Sequence, residues 1–499
     1  MIVSLSDILV QLCSFYATYS SRKKEEGSNV SKDILSIVQE KLSGRPWPPQ
    51  REALADLDAS SIAILSARLQ LNLYPATVDA RQYDEELVRN HLRMLYSVNA
   101  DLHTIVTGSS PEPLTAEASA QIMHYTFPNG KPFMKLWELL WKYIDHGLAA
   151  QGATGELIGR ALSISAMDHA VNRLSNVSVR ELKYQTPVSV TDYYKALLTD
   201  EAWEELRHST PANRAQLSSA SANRTFEDAF RGGYFHFSHY GQANDTSPMQ
   251  NTYAWAYWLR GTAIACQLNQ ELTDRMAPIY FPHLGGVSPK TISANLDQDK
   301  TGESVSPPTV STQSAERLSI FSQGTKLPYI AAVHCYALTD HQGISVFKPS
   351  PQTEKLRHKE DDLEAPRYQI DFRGLSAYAI IAKTDKVIIQ RMINRSKNAI
   401  FANHSRDYGI NSVRQMLPLL TQHPASVQWF EASNQVTAGP SMILSSGAVS
   451  SRTSPGKRVR IPSPSMTATV ATTSSTVVHP SAASAQAIPG RKKQKNKKK

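Results

Sequence analysis

Asp274 stands immediately before an apolar stretch, Met276–Phe281, and a second apolar stretch ends in Ile292-Ser293-Ala294-Asn295-Leu296-Asp297-Gln298-Asp299-Lys300. Both read as strands, because they are short, rich in β-branched and apolar residues and bounded by Pro, Gly and Asp. Side chains alternate between the two faces of a strand. Ile292, Ala294, Leu296, Gln298 and Lys300 therefore share one face, with Gln298 and Lys300 side by side at its end. A carboxylate and an amide oxygen can share a hard divalent cation such as Mg²⁺. A neighbouring lysine can act on an attacking water and offset charge on a phosphodiester in the transition state. Glu156, on a preceding helix, is the carboxylate available to complete such a set. The same residues admit a plain structural reading. Gln298 and Lys300 would then face solvent at a strand end, Asp274 would end a helix or start a turn, and Glu156 would pair with Arg160 at i,i+4.

Other chemistries lack their signatures. The sequence has no phosphate-binding glycine loop, no H-E-x-x-H, no paired C-x-x-C and no G-x-S-x-G elbow. His236 and His239 lack further ligands around them and read as partly exposed polar positions rather than metal ligands. The cysteines are odd in number and far apart (Cys13, Cys266, Cys335), and Cys266 and Cys335 lie in apolar stretches as buried thiols of a reducing compartment.

The elements that must position these residues fall into a helical part and a sheet-forming part. Residues 1–110 read as a helical N-terminal region: Leu5, Ile8, Leu9, Leu12 and Phe15 share a face, as do Ile34, Ile37, Val38 and Leu42, and Leu87, Leu92, Leu95 and Tyr96 repeat the pattern. Thr107–Pro113 reads as a loop and boundary. Further helices are expected at Phe133–Leu148, after the Gly152/Gly155 turn, at Phe226–Phe237 and at Tyr253–Cys266. Strands are then expected at Met276–Phe281, Thr291–Leu296, Leu327–Ala337, Tyr368–Phe372 and Tyr378–Ala382. Polar insertions near 301–325 and 349–366 read as flexible loops, and Val413, Met416, Leu417 and Leu420 mark a last helix. The expected class is α+β or α/β: a small mixed sheet flanked by helices over 111–431, behind the helical region.

The succession Gly155-Glu156-Leu157-Ile158-Gly159-Arg160, Phe226-Glu227-Asp228-Ala229-Phe230, Leu259-Arg260-Gly261-Thr262-Ala263, Asp274-Arg275-Met276-Ala277-Pro278-Ile279 and Gln298-Asp299-Lys300 resembles a large family of proteins of unassigned activity from mushroom-forming fungi. Leu327-Pro328-Tyr329-Ile330-Ala331 and Tyr368-Gln369-Ile370-Asp371 continue the resemblance. That family's strand pair is similar to the restriction-endonuclease-like PD-(D/E)xK core, found also in Crinkler-type proteins. The resemblance implies that Asp274 and Gln298 hold Mg²⁺, that Glu156 assists, and that Lys300 acts on water or phosphate. This chain departs from the pattern at Asn295, Asp297 and Asp299, where the family is apolar, and at Thr301 in place of Asn. A central parallel strand is expected to be apolar on both faces, so these residues imply a weakened, edge-like or partly exposed strand, with Asp297 and Asp299 competing for the cation. A degenerate nuclease-like core ranks ahead of an active Mg²⁺-dependent nuclease on this ground.

Charge points to partners. Of 53 Lys+Arg and 44 Asp+Glu over 499 residues, the segment after Glu431 holds eleven basic side chains and no acidic or aromatic one; residues 1–431 carry a net −2. Residues 432–499 are rich in Ser, Thr, Pro and Ala and are expected to be disordered. Two basic clusters, Lys457, Arg458 and Arg460, then Arg491, Lys492, Lys493, Lys495, Lys497, Lys498 and Lys499, suit a nuclear-import receptor or a phosphate backbone. No apolar run approaches the roughly 18 residues of a membrane span, and Met1–Tyr19 lacks a signal peptide's basic start. The expectation is a nuclear or cytoplasmic protein that is not secreted and has no membrane partner.

Overall fold

The computed structural model describes residues 30–49, 54, 56–73, 78–98, 105–109, 112–149, 153–174, 183–214, 217–244, 250–267, 273–302, 327–338, 343–346 and 365–397. The expected helices at 5–15 and 413–420, most of both insertions, and the whole 432–499 tail with its basic clusters lie outside these residues.

Helices α1 (Val30–Ser43), α2 (Ala59–Leu69) and α3 (Val78–Asn90) are followed by a two-stranded antiparallel ribbon, β1 (Arg93–Val98) with β2 (Ile105–Ser109). The ribbon corrects two expectations. Leu95 and Tyr96 belong to a strand and are exposed, and Thr107 to Ser109 pair in the ribbon instead of looping. Then come α4 (Pro113–Met123), α5 (Leu136–Asp145) and the long α6 (Ala153–Arg173). Asp58 caps α2, its Oδ1 accepting the Ser61 N–H at 2.7 Å while the Ser61 hydroxyl accepts the Asp58 N–H. Arg68 on α2 donates both Nη groups to Asp168 on α6, at 2.6 and 2.7 Å, and ties the two helices together.

The rest of the described chain builds a nine-stranded mixed sheet. It contains β3 (Val188–Ser189), α7 (Val190–Leu197), α8 (Asp200–Arg207), α9 (Ser219–Ala222), α10 (Phe226–Phe230), β4 (Tyr234–Phe235), β5 (His239–Gln242), α11 (Asn251–Leu259), β6 (Thr262–Ala265), β7 (Arg275–Tyr280), β8 (Ile292–Lys300), β9 (Tyr329–Cys335), β10 (Gly343–Val346), β11 (Arg367–Arg373) and α12 (Lys383–Lys397). The strand order is β10-β11-β9-β8-β7-β4-β3, with β6 also on β7 and β5 on β6. β6, β7 and β8 run antiparallel in turn, whereas β9 is parallel to β8 and β11 is parallel to β9. The fold is mixed α/β. Two expected helices are shorter than the pattern suggested, because each turns at a glycine and continues as a strand: Phe226–Phe230 precedes β4, and Asn251–Leu259 precedes β6. At Gly232 and Gly261 the backbone takes φ of +81° and +65°, which halts a helix without steric cost. Tyr378 makes one isolated bridge, to Leu198, and Tyr378–Ala382 is not a strand.

The larger core lies on one face of the sheet and joins α1–α3, α4–α8 and α12 to the sheet through Ile62, Leu140, Ile158, Phe226, Ile330 and Ile370 among others. Burying each such side chain contributes about 1.5–3 kcal/mol. On the other face, Ala254 and Trp258 of α11 cover Met276, Ile292, Ala294 and Leu296. Among the described residues no helix is long and apolar enough to cross a membrane.

Candidate active site

β8 is the strand on which the site is built. Its face toward α6 carries Ser293, Asn295, Asp297 and Asp299, all buried. This is a correction: β8 is neither edge-like nor partly exposed, but lies between β7 and β9 and is buried up to the half-buried Lys300. The polar side chains are tolerated because each has partners. Arg275 of β7 donates to Asp299 through Nε (2.7 Å) and Nη2 (3.0 Å), and its Nη1 donates to the Ser163 hydroxyl of α6 at 2.6 Å. Tyr336 donates to Asp299 at 2.6 Å, while His334 (3.1 Å) and the Asn295 amide (2.9 Å) serve Asp297. Burial pushes the Asp297 carboxyl up, but Arg275 and His334 outweigh it and hold the group below the usual range. Asp297 and Asp299 are thus committed on this face and do not compete for a cation on the other.

Small residues let α6 approach. A Cβ at Gly159 would collide with the Asp299 carboxylate, and one at Gly155 would lie 3.1 Å from Thr301 Cγ2 and 3.6 Å from the Asp299 carbonyl oxygen. Gly155, Gly159 and Ser163 recur at i, i+4 and i+8 and form the stripe that lies against β8. That packing sets Glu156, in the first turn of α6, beside the end of β8.

Asp274 arrives there from the neighbouring strand. Its N–H donates to the Asp297 carbonyl at 2.8 Å, its carbonyl accepts the Cys266 N–H at 2.9 Å, and its Oδ2 accepts the Asp299 N–H at 2.6 Å. The carboxylate therefore sits on the terminal backbone of β8. Met276 pairs with Leu296, so continuing two residues outward along that face leads from Met276 to Asp274 and from Leu296 to Gln298. Gln298 is only 5% exposed, and its Oε1 accepts no hydrogen bond. The Lys300 side chain makes no hydrogen bond or ion pair with a described residue. Its charge is nevertheless felt at Asp274, whose carboxyl it pulls down.

The electrostatics agree with the geometry. Burial pushes the Asp274 carboxyl up to about 6, reinforced by Asp299. Burial likewise pushes Glu156 up to about 7, against Arg160 and with added repulsion from Asp274. Glu156 does not pair with Arg160 in the way its spacing suggested. Arg160 donates through Nη1 to the Gln70 carbonyl at 3.0 Å and through Nε to the Glu156 backbone carbonyl at 3.4 Å, which leaves the Glu156 carboxylate without a described partner.

The structure thus brings Glu156, Asp274, Gln298 and Lys300 to one end of β7 and β8. Two desolvated carboxylates and an orphaned amide oxygen are hard oxygen donors of the kind a divalent cation takes. Among the described residues no group of three His, Cys, Asp or Glu is arranged to hold a metal. His236 is half-buried, in keeping with the expected partly exposed position, whereas His239 is corrected from partly exposed to fully buried. His236 bonds the Trp258 and Gln185 carbonyls at 2.7 and 3.0 Å, and His239 bonds Thr262 at 2.9 Å. Cys266 and Cys335 are free, buried thiols as expected. Sequence reasoning missed Gln369, Asp371 and Arg373 of β11, which share the Gln298 face of the sheet. The signal available was the strict alternation of polar and apolar residues in Arg367-Tyr368-Gln369-Ile370-Asp371-Phe372-Arg373.

Comparison of the chain with protein-family models, with curated proteins and with solved structures finds no match.

Proposed function

We propose that the chain is a divalent-cation-dependent phosphodiesterase of the restriction-endonuclease-like kind, acting on nucleic acid. The observation that carries this is a mutually repelling pair of desolvated carboxylates, Asp274 and Glu156, whose protons are held to about 6 and about 7, at the strand end where the buried Gln298 Oε1 has no partner. Burying such groups without partners costs stability, and sites that tolerate that cost are enriched in function. The decayed-enzyme reading rested on polar residues in β8, and these occupy the opposite face with partners of their own. An Asp at the start of one strand and Gln-x-Lys at the end of its antiparallel neighbour, in a mixed sheet flanked by helices, also support the restriction-endonuclease-like reading.

Asp274 and Gln298 would hold the cation, with the Glu156 carboxylate assisting nearby, and Mg²⁺ suits their oxygen donors. A cation there would supply Lewis-acid polarisation of a phosphoryl oxygen. The chain's own groups account for the remainder. Glu156, titrating near neutral pH, accepts a proton from the attacking water. Water oxygen bonds to phosphorus as the bond to the leaving oxygen breaks, and Lys300 offsets the charge gathering on the phosphoryl oxygens.

A plasmid-nicking assay with Mg²⁺ or Mn²⁺ tests this. Wild type should nick, and Lys300→Ala should be slower by about 100-fold or more; equal rates would overturn the assignment. Calorimetric titration of Mn²⁺ gives an independent readout, since Asp274→Ala should lose the binding seen in wild type. The basic clusters of residues 432–499 would engage nucleic acid or a nuclear-import receptor. A reporter fused to that segment should concentrate in nuclei, and a diffuse signal would remove the import role.

A further inference from the structure

Beyond Lys300 the same face of the sheet continues across two more strands. The register is fixed: Lys300 of β8 pairs with Cys335 of β9, and Cys335 pairs with Arg373 of β11. With strands about 4.8 Å apart, the Lys300 and Arg373 backbones stand about 10 Å from one another. One small side chain, Cys335, lies between them. Both cations act on that thiol, which burial and Asp371 push up and Arg373 and Lys300 pull down. On the outer side Arg373 pairs with Gly343, where an added Cβ would meet nothing within 4 Å. Among the described residues, nothing therefore crowds the row at that position.

Arg373 is not consumed by the fold. Its Nε is buried and donates no hydrogen bond, and it forms no ion pair with Asp371 although both share the face. Four residues inward on the same face, with Asp371 between, Gln369 is 6% exposed and its Oε1 is also partnerless, while its Nε2 reaches Asp371 at 3.5 Å. A guanidinium that the fold leaves without a hydrogen bond can grip a phosphate through its planar fork.

We propose that Arg373 is a second phosphate subsite that binds the phosphate neighbouring the scissile one, so that the substrate is a polynucleotide strand rather than an isolated diester. The inference rests on the phosphodiesterase reading of the Lys300 site and names its substrate class. Lys300 meets the phosphate that is cleaved; Arg373 meets the next one along the strand.

The test uses the full chain and three small probes: the dinucleoside monophosphate TpT and its two derivatives with one extra terminal phosphate, pTpT and TpTp. Wild type should cleave one of the phosphorylated probes with a kcat/KM roughly 10- to 100-fold above that for TpT, mostly through KM. Arg373→Gln should erase that preference and leave TpT cleavage unchanged, which also shows that the variant is folded. Arg373→Lys should restore part of the preference. A preference retained in Arg373→Gln, or an equal loss on all three probes, would overturn the subsite. If wild type cleaves none of them, the catalytic reading fails, and calorimetry with Ca²⁺ still decides the subsite. Tighter binding of a phosphorylated probe than of TpT, lost in Arg373→Gln, supports it; equal affinities refute it.

Discussion

Gln298 occupies a position where a carboxylate would serve a cation better, and its neighbours explain why an amide is tolerated. Glu156 and Asp274 already repel one another, and Asp299 adds to the repulsion at both. A third charge would raise cation affinity and weaken the cation-free protein. Gln298→Glu should therefore bind Mn²⁺ about tenfold more tightly by calorimetry, yet melt at a lower temperature in chelator at pH 8. The raised carboxyls also fix a pH dependence. Glu156 titrates near 7 in the fold against 4.5 ordinarily, and Asp274 near 6 against 3.8. Between pH 4 and 7 the native protein thus binds more protons than the unfolded chain, and stability falls as pH rises through that window. Thermal melts in chelator should show this fall, and Mg²⁺ should raise Tm more at pH 8 than at pH 5.5; a flat Mg²⁺ effect would argue against the site. Asp274, Gln298 and Lys300 were legible in the sequence because period-two alternation fixes which face each one takes. Arg373 was not, because its nearness to Lys300 depends on β9 inserting between β8 and β11, a pairing that no local pattern encodes.

At the level of elements, the contact of α6 with β8 decides whether the site exists. Gly159 accommodates the Asp299 carboxylate, which in turn holds Arg275 and, through its backbone N–H, the Asp274 side chain. Gly159→Ala should push the helix away and cost about 1–3 kcal/mol in urea unfolding. Because Glu156 rides on the same helix, Mn²⁺ affinity should drop as well. Arg275→Met should cost more, about 3–5 kcal/mol, by leaving Asp297 and Asp299 buried without their cation. These residues also show where sequence reading stopped. The polar positions of β8 were visible, but the expected edge strand followed from reading them without their partners. Arg275, His334, Tyr336 and Ser163 come from three other elements, and only the assembled sheet shows the polar face satisfied. The β1–β2 ribbon was hidden for a related reason: the spacing of Leu87, Leu92, Leu95 and Tyr96 suits a helix face, and the ribbon's pairing with Ile105–Ser109 overrode it.

For the whole molecule, charge and site are carried by different parts of the chain. Residues 1–431 are nearly neutral at −2, while eleven basic groups follow Glu431. In the sheet, the site offers two cations on one row, Lys300 and Arg373, enough for two adjacent phosphates but not for long-range attraction of a polyanion. Attraction of that kind depends on the number of phosphates neutralised and weakens steeply with salt. Deleting residues 432–499 should therefore sharply lower affinity for a long single strand at low salt and flatten the slope of log K against log salt. Cleavage of the short phosphorylated probe should be unaffected, since its two phosphates are met by Lys300 and Arg373. A deletion that reduced both equally would mean that the tail takes part in the site itself; one that changed neither would mean that long strands are held by the sheet alone. The expected split, with tail-dependent capture and tail-independent cleavage, would show as a rise in KM for long strands with kcat unchanged.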